Sequence, residues 1–341
     1  MLLKELSEAV AVSSREDEVR TLLKEHLSSS VDEVKTDRLG NLFCYKGWKE
    51  SQPKILIAAH MDEVGLMVTK IEKDGFLRFQ PVGSLDPRVL VSKPVVIGKE
   101  KVPGVIGAKP IHLQEPDERK KALDFKDLFI DIGVDSKAEA EGLVSLGDLV
   151  AFSTEYEELG DGIVKGKAFD DRAGCAVLAE ILKRDYRLGL AGVFTVQEEV
   201  GARGAEVVGK TLEPDLTIVL EGTTAADVPE IEEHEGSTKM GYGPALTIMD
   251  GSVLPHRPTL DKLLKIAEAN DIPIQFRRST KGFTDAGSLQ RGRGGIPTVV
   301  VSVPCRYIHS PACLVDTKDI ENTVALIVEF LRSVEQEGVP S

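Results

Sequence analysis

At 341 residues the chain exceeds what one hydrophobic core usually holds, so one large domain accompanied by a smaller one is expected. Its 42 Lys and Arg against 56 Asp and Glu give a net charge of −14, which argues against nucleic acid as a partner. No apolar run approaches the ~20 residues needed to cross a bilayer, and residues 1–8 lack the basic-then-apolar layout of a signal peptide. The cysteines Cys44, Cys175, Cys305 and Cys313 show no Cys-x-x-Cys spacing, which argues against a thiolate zinc site. A soluble, reducing, cytoplasmic setting without a membrane partner is the expectation.

In chain order, Ser13 to Glu16 reads as a capping box. Val19, Leu22, Leu23 and Leu27 follow at helical spacing, so a helix opens the fold. Residues 34–45 read as two short strands around a turn, Asp37 to Asn41. The apolar run Ile55 to Ala59 reads as a buried strand that leads into His60-Met61-Asp62-Glu63. From about Val68 to Gly166 short apolar runs alternate with glycine, proline or charged turns, and only Ser136 to Leu143 looks helical. That texture predicts a small barrel-like β domain, with the charged stretch 114–126 as an exposed loop.

An α/β texture then returns. Asp170-Asp171 precedes Ala173 to Leu182, a run apolar nearly all round that predicts a buried helix with Cys175 packed in it. The run Val193 to Val196 reads as a strand ending in Gln197-Glu198-Glu199, and Leu216 to Leu220 as another ending in Glu221. The acidic stretch 230–235 reads as a solvated loop. Pro258 to Ala269 predicts a helix, Thr280 to Gly287 a loop, and Thr298 to Val303 a strand leading to His309. A final amphipathic helix carries Ile320, Val324, Ile327 and Leu331. The fold class is therefore α/β: a mixed central sheet flanked by helices, residues 1–67 and 167–341, with an inserted barrel-like β domain at 68–166.

In open α/β sheets ligands bind beyond the carboxyl ends of the strands. If these strands share one sheet, His60, Glu199, Glu221 and His309 converge there. Two imidazoles among carboxylates suit zinc, cobalt or manganese better than a soft, thiolate-seeking metal. Glu198-Glu199 alone reads equally well as a solvated strand end, and a lone His60 as a satisfied core histidine. The recurrence of acids and histidines at several strand ends is what favours a site. Asp171 reads as a helix-start carboxylate, Arg172 as the partner of an acid near the site, and His112 as structural or interfacial.

Five segments in order resemble the M42 family of metallo-aminopeptidases, the TET-type enzymes. They are His60 to Gly65, Ala168 to Arg172, Gln197 to Gly201, Thr284 to Gly287 and Arg306 to Pro311, and the likeness spans essentially the whole chain. The resemblance implies two divalent metal ions per subunit, with His60 on one, His309 on the other and Asp170 bridging. Glu199 and Glu221 would each complete one shell, Glu198 would be the general base, and Asp62 would orient His60. Thr284 and Asp285 match a substrate-side loop. It further implies a metal-bound water as nucleophile, short peptides with a free N-terminus as substrates, and a hollow tetrahedral homododecamer built from dimers. Two positions depart from the common pattern: Glu221 stands where many members have Asp, and Phe283 where glycine is frequent, so Phe283 is expected to reshape the substrate pocket.

The two-metal core would equally serve a carboxypeptidase or an N-acyl amino-acid deacylase, which differ in not requiring a free α-amine. A glycosidase needs two carboxyl groups flanking the scissile bond and leaves His60, Asp170 and His309 without a purpose. A non-enzymatic assembly protein would not need Glu198.

Overall fold

The computed structural model of the protein describes residues 2–49, 51–232 and 236–341. Of the acidic stretch, 233–235 therefore lie outside the described residues. Eleven strands among the described residues form one mixed sheet. Its centre is four parallel strands in the spatial order Gly189–Thr195, Lys54–His60, Leu216–Thr224 and Thr298–Arg306. Antiparallel strands extend it on both sides, including Leu42–Lys46 and Cys313–Asp316.

Each central strand is apolar on both faces because helices cover both. Along Lys54–His60 the alternation of side chains decides the layer. Ile55, Ile57 and Ala59 pack into the cluster formed with the helices Leu3–Glu8, Asp17–Leu27, Phe169–Leu182 and Thr317–Glu337. Leu56 and Ala58 face the opposite layer, with Ala205 and Val208 of Arg203–Thr211 and with Ala286 and Leu289 of Asp285–Gln290. The apolar stretch 173–182 is buried throughout except Glu180, as its all-round hydrophobicity predicts.

Between the first and second halves of the sheet the chain forms a closed barrel of six strands, Gly65–Ile71 to Leu149–Phe152, around its own core of Leu66, Leu77, Ile106 and Ile130. Residues 114–126 are largely exposed on it. The helix Lys137–Glu141 starts at Ser136, whose Oγ accepts from Glu139 N.

Three local expectations change. The first long helix begins at Asp17 and Ser13 does not cap it; Ser13 Oγ instead donates to Asp62. The stretch 280–287 is not all loop, because Thr284 caps a helix that starts at Asp285 by accepting from Ala286 N. Several elements escape the sequence reading: the helix Leu3–Glu8, which precedes the one expected to open the fold, the helix Arg203–Thr211, and the strands Cys313–Asp316, Ala245–Thr247 and Gln275–Arg277. The last two strands are each three residues long, too short for periodicity to register.

Candidate metal centre

The carboxyl ends of the central strands bring the site together. His60 ends its strand, opposite Thr195. Val219 pairs with Ala58, so Glu221, two residues on, stands level with His60 on the adjacent strand. After Thr195 the chain leaves the sheet, with Gln197 at φ +56°, so Glu198 and Glu199 are not forced onto opposite faces. His309 lies in the turn after Thr298–Arg306, held at φ +54°. Asp170 stands just before the buried helix and directly beneath Gly222, where a Cβ would come within 2.7 Å of the Asp170 Cα. Any larger residue at 222 would displace the carboxylate.

Asp170 joins the two halves of the site. Its Oδ1 lies 3.3 Å from His60 Nε2 and its Oδ2 lies 3.2 Å from His309 Nε2. Glu221 Oε2 is 3.5 Å from His60 Nε2, and Glu199 Oε1 is 3.3 Å from His309 Nε2. Two sets of donor atoms result, His60–Asp170–Glu221 and Asp170–Glu199–His309, each within 4.8 Å internally. Glu221 reaches its position despite being longer than the aspartate expected there.

The electrostatics show what this arrangement demands. Burial disfavours a charged His60, but acceptors on Asp170, Asp62 and Glu221 reverse this and hold its pKa well above the usual range. Burial likewise opposes charge on His309, yet Asp170 and Glu199 raise it to about 10. Asp170 is drawn below the ordinary range, the two histidines overriding its burial. Burial, reinforced by Asp170 and Asp285, pushes Glu221 up to about 8. Glu198 is pushed well above its usual value, first by burial and then by Glu221, Asp285 and Glu199, with His60 opposing. The carboxylates thus demand more positive charge than two imidazoles supply. Glu221 Oε1 is moreover buried without a hydrogen-bond donor, a costly state for a carboxylate, and Glu199 Oε1 meets only His309 Nε2, at 3.3 Å. Divalent cations fit this donor set.

Asp62 organises the surroundings. His60 Nδ1 lies 3.1 Å from the Asp62 carbonyl and 3.5 Å from its Oδ1, which leaves Nε2 facing Asp170 and Glu221. The same carboxylate accepts from Glu198 N at 2.9 Å, from Glu199 N at 3.1 Å and from Ser13 Oγ at 2.6 Å. One buried side chain therefore fixes His60 and the Glu198-Glu199 turn together. Asp171 turns away from the centre, accepting from His60 N at 3.1 Å and Gly174 N at 2.9 Å, as a helix-start carboxylate should. Cys175 packs beneath, its thiol donating to the His60 carbonyl at 3.1 Å. Glu63 lies in a separate buried cluster: Lys167 Nζ reaches both its oxygens at 2.7 Å and Arg172 Nη2 lies 3.4 Å away.

A cavity of about 430 Å³ opens beside the centre. Glu198, Glu199, Glu221 and His309 line one part of it, Phe283 and Thr284 another. Phe283 is half exposed and stands on the rim side of the loop. Asp285 is buried behind this lining, taking a hydrogen bond from Thr195 Oγ1, with its Oδ1 unpaired. It acts on the site through charge rather than as a cavity wall. His112 is remote, exposed on the short turn Ile111–Leu113 of the barrel domain. Sequence reasoning missed Ser13, which was assigned to a helix cap, and the Arg277 strand, which carried no periodic signal.

Residues 40–326 match the family model described as M42 glutamyl aminopeptidase. The lysyl aminopeptidase of Pyrococcus furiosus is 32% identical over 341 aligned residues, covering 98% of this chain and 96% of that one. Among solved structures, the TET aminopeptidase from the marine sediment archaeon Thaumarchaeota archaeon SCGC AB-539-E09 superposes with a TM-score of 0.95 at 39% identity, covering 99% and 96% of the two chains. The TET1 peptidase of Pyrococcus horikoshii, described as assembling into a tetrahedron or a large octahedral shell, gives a TM-score of 0.85 at 33% identity over 96% and 98%.

Proposed function

The chain belongs to the M42 family of aminopeptidases, and from that premise we propose that it removes N-terminal residues from short peptides at a two-metal centre. His60, Asp170 and Glu221 would hold one divalent cation, and His309, Asp170 and Glu199 the other. The observation that carries this reading is the Asp170 carboxylate, whose two oxygens face different histidines at 3.3 and 3.2 Å. Zinc or cobalt suits these donors, with manganese next. When bound, such a pair supplies Lewis acidity toward the scissile carbonyl and lowers the pKa of the attacking water. Glu198 lines the cavity next to these ligands and takes the role of general base, accepting the water's proton and passing it to the leaving amine. Asp62 keeps the His60 ring and the Glu198 backbone in register for that transfer. Thr284 and Phe283 bound the substrate side, and Asp285 supports it from behind. The acid-rich centre offers a free α-amine counter-charge, which accounts for cleavage at N-termini.

The test is hydrolysis of a panel of aminoacyl p-nitroanilides after chelation and again after adding zinc, cobalt or manganese. Activity lost and restored by metal is the expected result. A folded protein inert with every metal, or one that cleaves N-acetylated substrates equally well, would sink this reading.

We further propose that the inserted segment, expected at 68–166 within a catalytic domain of 1–67 with 167–341, acts as an oligomerisation domain; its barrel runs from Gly65 to Phe152, whereas Glu157–Gly160 and Ile163–Gly166 pair into the main sheet. The barrel region exposes Val105, Ile111, Leu113, Leu143 and Leu146, apolar surface suited to burial between subunits. A homododecamer assembled from dimers follows from the likeness to the tetrahedral relative, and light scattering of the purified protein decides it. Among the described residues no helix is long and apolar enough to cross a membrane. We place the enzyme in the cytoplasm, where its four buried cysteines stay free thiols.

A further inference from the structure

The turn that carries Glu198 and Glu199 is held by side chains from the start of the chain. Its carbonyls are served locally: Val196, Gln197 and Glu198 accept from Gly204 N, Arg203 N and Ala202 N. Its N–H groups face the other way, and side chains meet those of Val196 to Glu199 in succession. Asn41 Oδ1 accepts from Val196 N at 3.1 Å, Glu16 Oε1 from Gln197 N at 3.3 Å, and Asp62 from Glu198 N and Glu199 N. Asn41, Glu16 and Asp62 are all buried. Asn41 clamps the far end of the turn as well, since its Nδ2 donates to the Gly204 carbonyl at 3.1 Å. The metal centre accounts for Asp62, which also orients His60. It does not account for Glu16, whose carboxylate reaches the site through Gln197.

Gln197 sits at φ +56°, in the left-handed region disfavoured for a residue with a Cβ. The turn therefore needs an outside contact to keep that conformation, and Glu16 supplies the acceptor at the strained residue itself. Glu16 is fixed in its turn. The same Oε1 accepts from Ser14 N at 2.7 Å, and Oε2 lies 3.8 Å from Arg20 Nη2. That guanidinium is anchored by Nε, which donates to the Gly40 carbonyl at 2.8 Å. Val12 bridges to Glu63, which ties the segment before Glu16 to the chain leaving His60. We propose that Glu16 is a positioning residue for the general base: by accepting from Gln197 N it fixes the backbone one residue before Glu198, and so the direction in which the Glu198 carboxyl enters the cavity. This rests on the assignment of Glu198 above and adds the residue that aims it. A misplacement of ~1 Å is enough to slow such a proton transfer about 10²-fold. The ligands keep their own contacts when this acceptor is lost, so the effect falls on turnover rather than on metal binding.

The experiment measures kcat, KM and metal content for the metal-loaded wild type, Glu16→Met and Glu16→Gln on the best aminoacyl p-nitroanilide. Methionine fills the space without an acceptor, whereas glutamine keeps a carbonyl oxygen for Ser14 N and Gln197 N. Glu16→Met is expected to lower kcat about 10- to 100-fold, with KM and metal content as in the wild type. Glu16→Gln is expected to retain most of the wild-type kcat. A cycle with Glu198→Gln separates positioning from general damage: once the base is gone, Glu16→Met should lower the residual rate less than about twofold, whereas a structural defect multiplies the loss. Wild-type kcat in Glu16→Met, equal impairment of Glu16→Gln and Glu16→Met, or multiplied losses in the cycle overturn the proposal and leave the aminopeptidase reading intact. Near-wild-type turnover in Glu198→Gln removes the base and the proposal with it. A wild type inert with every metal fails the aminopeptidase reading instead, and amide exchange over 194–204, followed by mass spectrometry, then decides the placement of the turn. Faster exchange there in Glu16→Met than in Glu16→Gln, with the rest of the chain unchanged, supports the proposal, and equal exchange overturns it. Should Glu16→Met fail to fold, Glu16→Asp, whose shorter arm withdraws the acceptor but keeps the charge, takes its place with the same outcomes.

Discussion

Replacing Asp62 with asparagine keeps the shape of the side chain and removes its charge. In the wild type its two oxygens accept from Glu198 N, Glu199 N and Ser13 Oγ, all at 3.1 Å or less, in a fully buried setting. Asparagine retains one oxygen, so one of the two backbone N–H groups must face an NH₂ and lose its acceptor. A hydrogen bond to a charged acceptor is worth about 1.5–3 kcal/mol, and stranding the buried donor costs a similar amount again. Together these give a destabilisation of about 3–6 kcal/mol, which lowers Tm by roughly 4–8 °C. The functional effect exceeds the structural one, because the same group orients His60: loss of such a partner typically lowers metal affinity or activity about 10- to 100-fold. Zinc affinity by competition with a chromogenic chelator, kcat on the best p-nitroanilide and a thermal melt with and without metal measure the three quantities. Ser13→Ala calibrates them. It removes the 2.6 Å hydrogen bond but leaves both backbone donors matched, so it is expected to cost about 1.5–2 kcal/mol and less than tenfold in activity. An Asp62→Asn protein with wild-type zinc affinity and kcat would refute the claim that this carboxylate positions His60 and the Glu198-Glu199 turn.

Further expectations concern the base, the second acid cluster and pH. Glu198→Gln should lower kcat by about 10²–10⁴ while metal content stays at the wild-type level by elemental analysis; near-normal turnover would remove Glu198 from its role. Lys167→Met strips Glu63 of the ammonium that reaches both its oxygens, and breaking a buried pair in this way should cost about 3–5 kcal/mol in urea unfolding; a change below 1 kcal/mol would show that Arg172 alone suffices. Glu16 is raised to about 7, by burial first and then by Asp62. A carboxyl whose folded pKa lies above its unfolded value of 4.5 favours folding fully at low pH, and that contribution is lost as pH rises through about 7. Glu16→Gln should therefore be stabilising at pH 8 relative to pH 5, by roughly 2–3 kcal/mol; identical pH dependence in variant and parent would contradict this.

Much of the architecture was readable because it rests on patterns that span many residues. Apolar runs ending in His60, Glu198-Glu199 and Glu221 identified buried strands and, on the premise that they share one sheet, the edge at which a site would form. The change to short strands and turns after residue 68 anticipated the barrel. What escaped was decided by single contacts between distant segments. Ser13 followed by Glu16 has the letters of a capping box, yet its hydroxyl serves a carboxylate 49 positions away, and no local pattern encodes that choice. Arg277 sits on a three-residue strand whose pairing with Ala245–Thr247 depends on the chain returning across 27 intervening positions, so neither its strand nor its guanidinium could be placed from spacing. Thr284 and Asp285 were placed near the site, but only the fold separates the first, which lines the cavity, from the second, which lies behind it.

Two buried acid clusters lie side by side in this molecule, and their difference explains why one is read as a ligand set and the other as structure. Glu63 is as buried as any residue of the centre, yet its charge is met from within the chain: Lys167 contacts both oxygens, Ala11 N donates to one at 2.9 Å and Arg172 stands beside it. Nothing further is required, and a cation placed there would have to displace the lysine. Glu199 and Glu221 have no such partner. Glu221 keeps a buried oxygen without a donor, and what positive charge the two meet comes from histidines, whose protons are exchangeable. Burial of carboxylates is thus not what marks a metal centre. The mark is burial together with incomplete compensation, in a geometry where one carboxylate, Asp170, addresses two imidazoles at once. Lys167 and the exchangeable site can be told apart by experiment on that ground: metal should raise the melting temperature of the wild type by mass action, and should still raise it in Lys167→Met, whereas His309→Ala should abolish much of the gain.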